Sequence, residues 1–405
     1  MKAKDMGSSL AVGSLLAKGA RAVAPAPKTK KRKLNAVPHR YLQDDIPVIP
    51  KELSLATPER IEASWDFFRK MGSPKWHVAP MVDQSELAFR MLCRKYGATC
   101  AYTPMLHGRL FVEGEKYRKE HFTTCPEDRP LITQFCANDP KVLLEAAKYV
   151  EKDCDAVDIN LGCPQRIAKR GNYGSFLMDD LDVVKAMVTT LAKELSVPVT
   201  CKIRIFPQED PLGREKTLQY AKMLQDAGCS LLAVHGRTRD QKRCNEVRAD
   251  WKIIRDVKDA LDIPVLANGD IRHLEDAKRC LDFTKCDGVL SADPLLTNPA
   301  LFSETEAPRG VHARPEAPCD LLLEYLDLCE VHYTPQRMVR AHVHKLLGPW
   351  FNEIGQDVRQ RMNESISTLD LYRGVAKEMK ERIRAHHKER AGEEGQAGEE
   401  AKVEA

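Results

Sequence analysis

The chain lacks several patterns that would place it in a familiar class of protein. None of its apolar runs reaches the roughly 18 residues that a membrane-spanning helix requires. Its 13 cysteines include no Cys-x-x-Cys pair, so a zinc ribbon or a thioredoxin-like dithiol has no support. Since no Gly-x-x-x-x-Gly-Lys-Ser/Thr sequence occurs, a P-loop nucleotide triphosphatase is not expected. His342 and His344 form a His-x-His pair without a third ligand nearby, and we predict no metal site.

What is present is an ordinary globular composition with an uneven distribution of charge. Hydrophobic residues make up 43% and charged residues 30% of the 405 residues, and the net charge is only +4. Residues 1–40 contain ten Lys or Arg and one acid, whereas 386–405 contain three Lys or Arg and six Glu. Block-charged ends are typical of solvated, disordered segments. We therefore predict a basic, disordered extension over 1–60 and an acidic, disordered tail over 386–405.

The basic run from Lys28 to Lys33 bears on cellular location. It fits a nuclear import signal or a non-specific nucleic-acid arm, but also a charge run that no receptor binds. The scarcity of acids in 1–40 permits an organellar transit peptide as well. An odd number of cysteines and the absence of a secretory signal pattern favour an intracellular compartment with reduced thiols. We expect a cytoplasmic or nuclear protein, with organellar targeting left open.

Eight short apolar runs alternate with helical patterns in the middle of the chain. The runs are rich in Val, Ile, Leu and Ala with little polar alternation, as in strands buried on both faces of a parallel sheet. Strand and helix alternating eight times within about 220 residues is typical of a (β/α)₈ TIM barrel. A doubly wound sheet is the alternative, but no Gly-x-Gly-x-x-Gly follows the first run. The runs are 75–80, 99–103, 131–135, 156–160, 199–203, 231–235, 265–268 and 288–291.

The pattern also divides the chain into domains. We predict a barrel over 70–308, followed by a small all-helical domain over 309–385. The helical domain rests on apolar residues at helical spacing in 321–332, 335–353 and 363–386. Residues 106–129 exceed the usual length of a connection between a strand and a helix, so we expect a lid or a surface insertion there.

Polar residues lie at the ends of several predicted strands, where the active site of such a barrel is built. Gln134, Lys202, His235 and Asn268 occupy these positions. A lysine is rarely buried without a partner, so Lys202 within an apolar run indicates a function. Lys and His supply positive charge, amides can bond the imide edge of a ring, and glycine turns allow the backbone to approach a phosphate. This combination suits a flavin cofactor.

Cys163 lies between a glycine and a proline in the loop that follows the fourth predicted strand. These neighbours hold the side chain in a defined position. A free thiol has a pKa of about 8.5, so it is mostly protonated at neutral pH. That state suits a general acid, which contributes roughly 10²–10⁴ in rate, better than a nucleophile. The other twelve cysteines are interpreted as core residues, the usual role of this residue type.

Four motifs together resemble, in order and spacing, the tRNA-dihydrouridine synthases. They are Ala-Pro-Met-Val-Asp at 79–83, Asp-Ile-Asn-Leu-Gly-Cys-Pro-Gln at 158–165, His-Gly-Arg-Thr-Arg at 235–239 and Asn-Gly-Asp at 268–270. The loop 165–174 is most similar to the eukaryotic branch that acts at positions 16 and 17 of the tRNA D-loop. The resemblance extends over about 75–385, and its second and third motifs together are specific.

The resemblance implies an FMN-dependent barrel that reduces uridine to dihydrouridine in the D-loop of tRNA, with NADPH or NADH as reductant. Cys163 matches the proton donor of the family, and Asn160 is a candidate to hold the uracil edge. After the eighth strand family members often have Gly-Arg at the flavin phosphate, whereas this chain has Ser-Ala-Asp at 291–293. There backbone amides would have to replace a side-chain cation. The implied flavin contacts are Pro80, Met81, Val82, Gln134, Lys202, His235, Asn268, Gly269, Asp270, Ala292 and Asp293.

Basic residues near the predicted site and in the helical domain suggest how RNA would bind. Moving a base out of its stack costs a few kcal/mol, and phosphate contacts must offset that cost. The expected partner is tRNA, and no membrane, metal or protein partner is inferred. Candidates at the barrel mouth are Arg166, Lys169, Arg170, Arg237 and Arg239, and candidates in the helical domain are Arg337, Arg340 and Lys345.

Two other functions remain open from the sequence. The first is an FMN barrel dehydrogenase that acts on a free pyrimidine, of the dihydroorotate or dihydropyrimidine type, which has a similar Asn-x-x-Cys-Pro loop. The basic loops and the helical domain argue against it, because a small substrate needs neither. The second is a catalytically inactive RNA-binding relative. The combination of Cys163, Lys202 and His235 argues against that alternative.

Overall fold

The computed structural model describes residues 46–242, 247–305 and 314–403. Within these residues, eight parallel strands close into a barrel, because β9 returns to pair with β1. The predicted TIM-barrel fold is thereby confirmed. The strands are β1 (Trp76–Val78), β2 (Cys100–Tyr102), β4 (Leu131–Cys136), β5 (Ala156–Leu161), β6 (Val199–Arg204), β7 (Leu231–His235), β8 (Val265–Asn268) and β9 (Gly288–Ser291).

A ninth strand, β3 (Leu106–His107), continues along β4 from the point where β2 ends. Pro104 separates β2 from β3, and a proline cannot donate a hydrogen bond to a neighbouring strand. At the break, the Thr103 hydroxyl accepts the backbone N–H of Gln134 at 3.1 Å. The second position of the barrel is therefore one interrupted strand.

Helices flank the barrel, and their first turns show why they start where they do. Asp139, Asp180 and Asp250 each accept hydrogen bonds from backbone N–H groups of the helix that follows. The apolar faces of these helices pack on the outward side chains of the strands. The flanking helices are α2 (Leu87–Lys95), α5 (Pro140–Lys148), α7 (Leu181–Glu194), α8 (Gly213–Asp226), α9 (Trp251–Ala260), α10 (Leu274–Thr284) and the short α11 (Asp293–Thr297).

An additional helix, α1 (Pro58–Lys70), lies across the amino-terminal ends of the strands. Its Phe67 and Phe68, together with Met71, pack against the inward side chains at the floor of the barrel. The prediction of disorder over 1–60 is therefore wrong for 46–60, which form a 3₁₀ turn (Lys51–Leu53) and the start of α1. A threonine cap and a proline in the first turn begin this helix, and its aromatic residues fix it to the core. Residues 1–45, which contain the basic run, lie outside the described residues.

The insertion predicted over 106–129 contains β3 and two short helices, α3 (Gly108–Glu113) and α4 (Glu115–His121). Its end is attached to α2 by a buried ion pair between Asp128 and Arg90, 2.5 Å apart. Arg94 approaches the same carboxylate to 3.0 Å. Arg90 also donates to the carbonyls of Ser85 and Thr123. The buried pair of Asp128 and Arg90 thus joins the insertion, α2 and the loop before α2.

Four helices follow the barrel: α12 (Ala317–Val331), α13 (Gln336–Glu353), α14 (Gln356–Glu364) and α15 (Leu369–Val403). The helical pattern over 363–386 comprises parts of two helices, because the chain turns at 365–368 and the Thr368 hydroxyl caps the next helix. The tail predicted to be disordered over 386–405 differs as well, since α15 continues to Val403. Its Ala, Glu, Gln and Lys residues are good helix formers. Every helix among the described residues is too short or too polar to cross a membrane.

The helical domain contacts the barrel through buried polar groups. Glu86, at the start of α2, accepts a hydrogen bond from the Tyr325 hydroxyl at 2.7 Å. Its second carboxylate oxygen lies 3.1 Å from His342 Nε2. The His342 ring stacks on Phe89 of α2 with centroids 4.4 Å apart. Burial by itself raises the pKa of Glu86, but the neighbouring His342 and the two hydrogen bonds lower it on balance. The domain interface is therefore formed by fixed polar contacts as well as apolar packing.

Asp128→Ala tests the buried ion pair. We expect it to destabilise the protein by about 3–5 kcal/mol, because it leaves two arginines without their buried partner. Urea unfolding monitored by circular dichroism measures the change. Asp182→Ala on α7 is the control, since that carboxylate is 71% exposed in its pair with Lys185. Equal effects of the two substitutions would contradict this account of the insertion.

Candidate active site

A buried carboxylate lies at the centre of the site, inside the barrel. Asp158 on β5 accepts hydrogen bonds from the Thr200 hydroxyl at 2.6 Å and from Gln134 Nε2 at 2.7 Å. Burial raises its pKa to about 6, although Thr200, Gln134 and the charge of Lys202 oppose the shift. At neutral pH the group is therefore mainly ionised, and its charge is compensated by these neighbours.

Gln134 and Asn160 extend this network towards the carboxyl ends of the strands. Asn160 Nδ2 donates to Gln134 Oε1 at 2.7 Å. Asn160 Oδ1 in turn accepts the backbone N–H groups of Gly162 at 3.2 Å and Cys163 at 2.9 Å. Both amide side chains thus bond protein groups. Asn160 supports the loop that carries the thiol, in addition to the uracil contact expected from the resemblance.

The Cys163 loop is held from its other side by the segment after α6 (Arg166–Gly171). The carbonyl of Cys163 accepts from both the backbone N–H and the hydroxyl of Ser175, at 3.1 Å and 3.0 Å. Gly174 has φ +66°, and a Cβ there would lie 2.7 Å from that carbonyl oxygen. The Cys163 side chain is half-buried, and burial raises its pKa above the ordinary value. The thiol therefore keeps its proton at neutral pH, as a general acid requires.

Two further side chains line the barrel mouth. Lys202 lies opposite Asn160 in the register of β5 and β6. The ammonium group has no hydrogen-bond or ion-pair partner among the described residues, and burial together with Arg204 lowers its pKa to about 8. It is charged at pH 7 and available to an acceptor.

Burial lowers the pKa of His235 far below its ordinary value. His235 Nε2 lies 3.0 Å from Arg237, which can only donate, so neutral His235 carries its proton on Nδ1.

Arg237 and Arg239, which the sequence predicts to contact RNA, are buried in this structure. Arg237 is only 3% exposed and forms a 2.5 Å ion pair with Asp270. Arg239 is equally buried, and it pairs with Asp179 at 2.7 Å. Buried arginines pair with acids to compensate the loss of hydration. These two residues therefore fix loops of the barrel mouth in this structure, and their contact with tRNA stays a prediction.

The expected flavin residues occupy three neighbouring loops. Gly269 has φ +116°, and a Cβ there would approach Ala249 to 2.6 Å, so the turn requires glycine. Asp270 follows at φ +60°, with its carboxylate on Arg237 and the Ala249 N–H. Asn268 donates to the Leu290 carbonyl at 2.9 Å. The loop after β1 carries three further expected residues. Pro80 and Met81 are partly exposed there, and Val82 is 56% exposed.

The segment 291–298 after β9 contains no side-chain cation. Ala292 precedes the short helix α11, and the Asp293 carboxylate pairs with Lys345 of α13 at 2.6 Å. Asp293 and Lys345 thus neutralise each other between barrel and helical domain. Lys345 therefore already has an acidic partner within the protein, and its charge is not free to bind RNA.

Two arginines near the site were not selected from the sequence. Arg204 is buried and donates to the carbonyls of Gly162 and Thr238, so it joins the Cys163 loop to the loop after β7. Arg272 is 41% exposed, and its Nη2 lies 3.8 Å from the Asp270 carboxylate. The sequence signal that could have identified Arg272 is its position two residues after the Gly-Asp turn. Arg204 positions the site, and Arg272 is a cation at its rim.

The remaining basic candidates fall into two groups. Arg166, Lys169 and Arg170 of α6 are exposed, and no acidic partner is found for them in the described ranges. In contrast, Arg337 bonds Asp83 and Glu120. Arg340 bonds the hydroxyls of Ser367 and Tyr372. Of these candidates, the exposed cations without acidic partners in the described structure thus lie on the helix that starts three residues after Cys163, whereas Arg340 is only partly exposed and bonds hydroxyls.

The predicted absence of a metal site can be compared with the structure only where the chain is described. Across 46–242, 247–305 and 314–403, no group of three or more His, Cys, Asp or Glu side chains is arranged to hold a metal ion.

Comparison with known proteins extends these observations to a family. Residues 77–387 match the family model described as dihydrouridine synthase (Dus). A Rattus norvegicus protein named tRNA-dihydrouridine(16/17) synthase-like is 48% identical, covering 76% of this chain and 66% of that protein. A Schizosaccharomyces pombe protein named tRNA-dihydrouridine(16/17) synthase is 46% identical, covering 75% and 77%. A Homo sapiens protein named tRNA-dihydrouridine(20a/20b) synthase-like is 38% identical, covering 65% and 79%.

The matched segment spans just under two thirds of the rat relative's length and more than three quarters of the fission yeast relative's. The family model covers most of the chain, including the barrel and the helices after it. This chain therefore belongs to the dihydrouridine synthase family.

Proposed function

We propose that this protein is an FMN-dependent tRNA-dihydrouridine synthase that reduces the C5–C6 double bond of a D-loop uridine, with NADPH or NADH as reductant. One observation carries the proposal: a protonated, half-buried thiol lies at a barrel mouth that also holds an ammonium group without a partner among the described residues. Cys163 supplies the acid, and Lys202 supplies the charge. Membership of the dihydrouridine synthase family supports the same reaction.

The residues of the mouth fit a flavin. Lys202 offers a cation that no other described residue pairs, and neutral His235 offers a ring N–H, which together suit the electron-rich edge of a reduced flavin. The glycine turn at Gly269 allows a close approach of the backbone. In this proposal the flavin supplies the hydride for C6 of the uracil ring. Its phosphate would be bound by backbone amides near Ala292, with Arg272 as the nearby cation.

The protein then completes the reaction at C5. The Cys163 thiol donates its proton there. Its backbone N–H donates to Asn160 and its carbonyl accepts from the Ser175 hydroxyl, and these two bonds hold it in place. Because the pKa of Cys163 is raised, the thiol is protonated at neutral pH and can act as the donor. Since proton donation leaves a thiolate, Lys202 and Arg204 also stabilise the product state of the loop.

The tRNA would contact the face of α6. Arg166, Lys169 and Arg170 are exposed there, without acidic partners in the described part of the chain. The helical domain (309–385 in the sequence prediction) adds a second RNA-binding surface through partly exposed Arg340. Arg337 and Lys345 contribute mainly by holding the domain against the barrel.

Positions 16 and 17 are the proposed target uridines. Relatives named for these positions are 46–48% identical to this chain, whereas a human relative named for positions 20a and 20b is 38% identical. We also propose that the protein acts in the cytoplasm or nucleus. Mass spectrometry of tRNA from cells with and without the protein tests the reaction and its position. Loss of uridines carrying two additional hydrogens at 16 and 17 is expected, and unchanged tRNA would refute the proposal.

Cys163→Ala tests the proton donor. We expect FMN and tRNA binding to persist while turnover falls by roughly 10²–10⁴, because only the acid is removed. Rates are measured as dihydrouridine formed in a tRNA transcript. Cys125→Ala is the matched control, since Cys125 is another cysteine with partial exposure. A Cys163→Ala enzyme with near-normal initial rates would remove this thiol from the mechanism.

A triple substitution of Arg166, Lys169 and Arg170 by Gln tests the RNA surface. Affinity for tRNA should fall at least about tenfold, and the salt dependence should weaken by about one unit for each phosphate that is no longer neutralised. Flavin binding should not change. The control replaces Lys185, Lys222 and Arg255, which are at least partly exposed but pair with acids on the outer helices. Equal reductions in both triple variants would indicate a general charge effect and contradict a specific surface on α6.

A further inference from the structure

The hydrogen bonds that lead from Asp158 to the Cys163 loop have a fixed direction. An ionised carboxylate can only accept, and a backbone N–H can only donate. Between these two fixed ends lie the side chains of Gln134 and Asn160, and each amide has one donating and one accepting end. Every bond in the row pairs a donor with an acceptor only if both amides point the same way.

The direction follows one residue at a time. Asp158 accepts from Gln134 Nε2 at 2.7 Å, so Gln134 Oε1 must face Asn160. That oxygen accepts from Asn160 Nδ2, also at 2.7 Å, which leaves Asn160 Oδ1 facing the loop. Asn160 Oδ1 then meets the N–H groups of Gly162 and Cys163. Asp158, Gln134 and Asn160 are all at least nine-tenths buried, so water is a poor substitute for a mismatched bond.

We propose that Asp158 is a positioning residue whose carboxylate sets the direction of this row, and thereby holds the loop of Cys163 in the orientation that donates a proton to substrate. The inference rests on the proposed function for its catalytic part. The carboxylate itself touches neither the thiol nor the loop, and it acts through two side chains. A neutral amide at this position cannot provide two accepting ends.

Asp158→Asn should reverse the row. The buried Thr200 hydroxyl has no other acceptor among the described residues, so it keeps donating to the oxygen of the new amide, which then presents its hydrogens to Gln134. Gln134 then presents hydrogens to Asn160, and Asn160 presents hydrogens to the loop, where donor meets donor. The mismatch must be relieved by moving the loop.

The double variant Asp158→Asn with Gln134→Glu restores the direction. The new carboxylate at position 134 accepts from the new amide at position 158 on one side and from Asn160 on the other, so Asn160 again turns its oxygen to the loop. Gln134→Glu alone places two carboxylates against each other and should also be impaired. Rescue in the double variant is a result that a merely structural role would not produce.

Hydrogen exchange of the Gly162 and Cys163 amides is the first readout, since it needs neither cofactor nor substrate. Exchange should be at least about tenfold faster in Asp158→Asn and return close to the wild-type rate in the double variant. Asp182→Asn on the exposed face of α7 is the matched control and should change nothing. Turnover of tRNA at saturating FMN is the second readout, with a loss in kcat of at least about tenfold and little change in KM in Asp158→Asn.

The outcomes separate this inference from the proposed function. If wild-type protein does not reduce uridine in tRNA, the function fails, and the exchange experiment still decides the role of Asp158. Wild-type exchange and turnover in Asp158→Asn would overturn the inference. A double variant whose Gly162 and Cys163 amides exchange as fast as those of Gln134→Glu alone would overturn it as well, even if Asp158→Asn alone does not fold.

Discussion

The site depends on one charge buried inside the barrel. Placing a carboxylate there is unfavourable, as the raised pKa of Asp158 shows, so the surroundings must supply donors and a nearby cation. Thr200 and Gln134 supply the donors, and Lys202 supplies the cation. The same contacts fix Gln134, Asn160 and the loop beyond them. The cost of burying one charge thus orders the side chains around it.

Pairing separates the basic residues near the site into two roles. One group is buried beside carboxylates, so its charge is compensated within the protein. It consists of Arg237, Arg239 and Arg90, the residue of α2 that pairs with Asp128 of the insertion. The three cations of α6, in contrast, are exposed on one short helix. Since a buried ion pair cannot turn outwards without leaving an unpaired charge, only the second group is available to a polyanion. Sequence position alone does not distinguish these groups, because all of them lie in loops or helices near the barrel.

The helical domain and the insertion meet the barrel close to the loop after β1. Arg337 bonds Asp83 of that loop and Glu120 of α4, while Glu86 bonds Tyr325 and His342. Asp83 has φ +56°, so the backbone at the junction is itself in an uncommon conformation for a non-glycine residue. These contacts link the expected flavin loop to both neighbouring elements, so a change in domain position would be felt at the barrel mouth.

The sequence by itself determined the barrel, because strands buried on both faces are continuous apolar runs and turns interrupt them regularly. The predicted runs agree with the eight strands to within about two residues at each end. The motif around Cys163 and the lysine within an apolar run were visible for the same reason: each is chemically out of place in its local pattern. Tertiary structure decided which charges are paired, because Arg237 meets Asp270 from a strand end 33 residues further along the chain. Tertiary structure also fixed the position of α1 over the barrel floor. The block of charge near the amino terminus had predicted disorder up to residue 60, whereas Phe67 and Phe68 anchor this helix to the core. Likewise, Asp158 could be assigned a role only once β4 and β5 lay side by side, since hydrogen-bond direction is a property of neighbours in space.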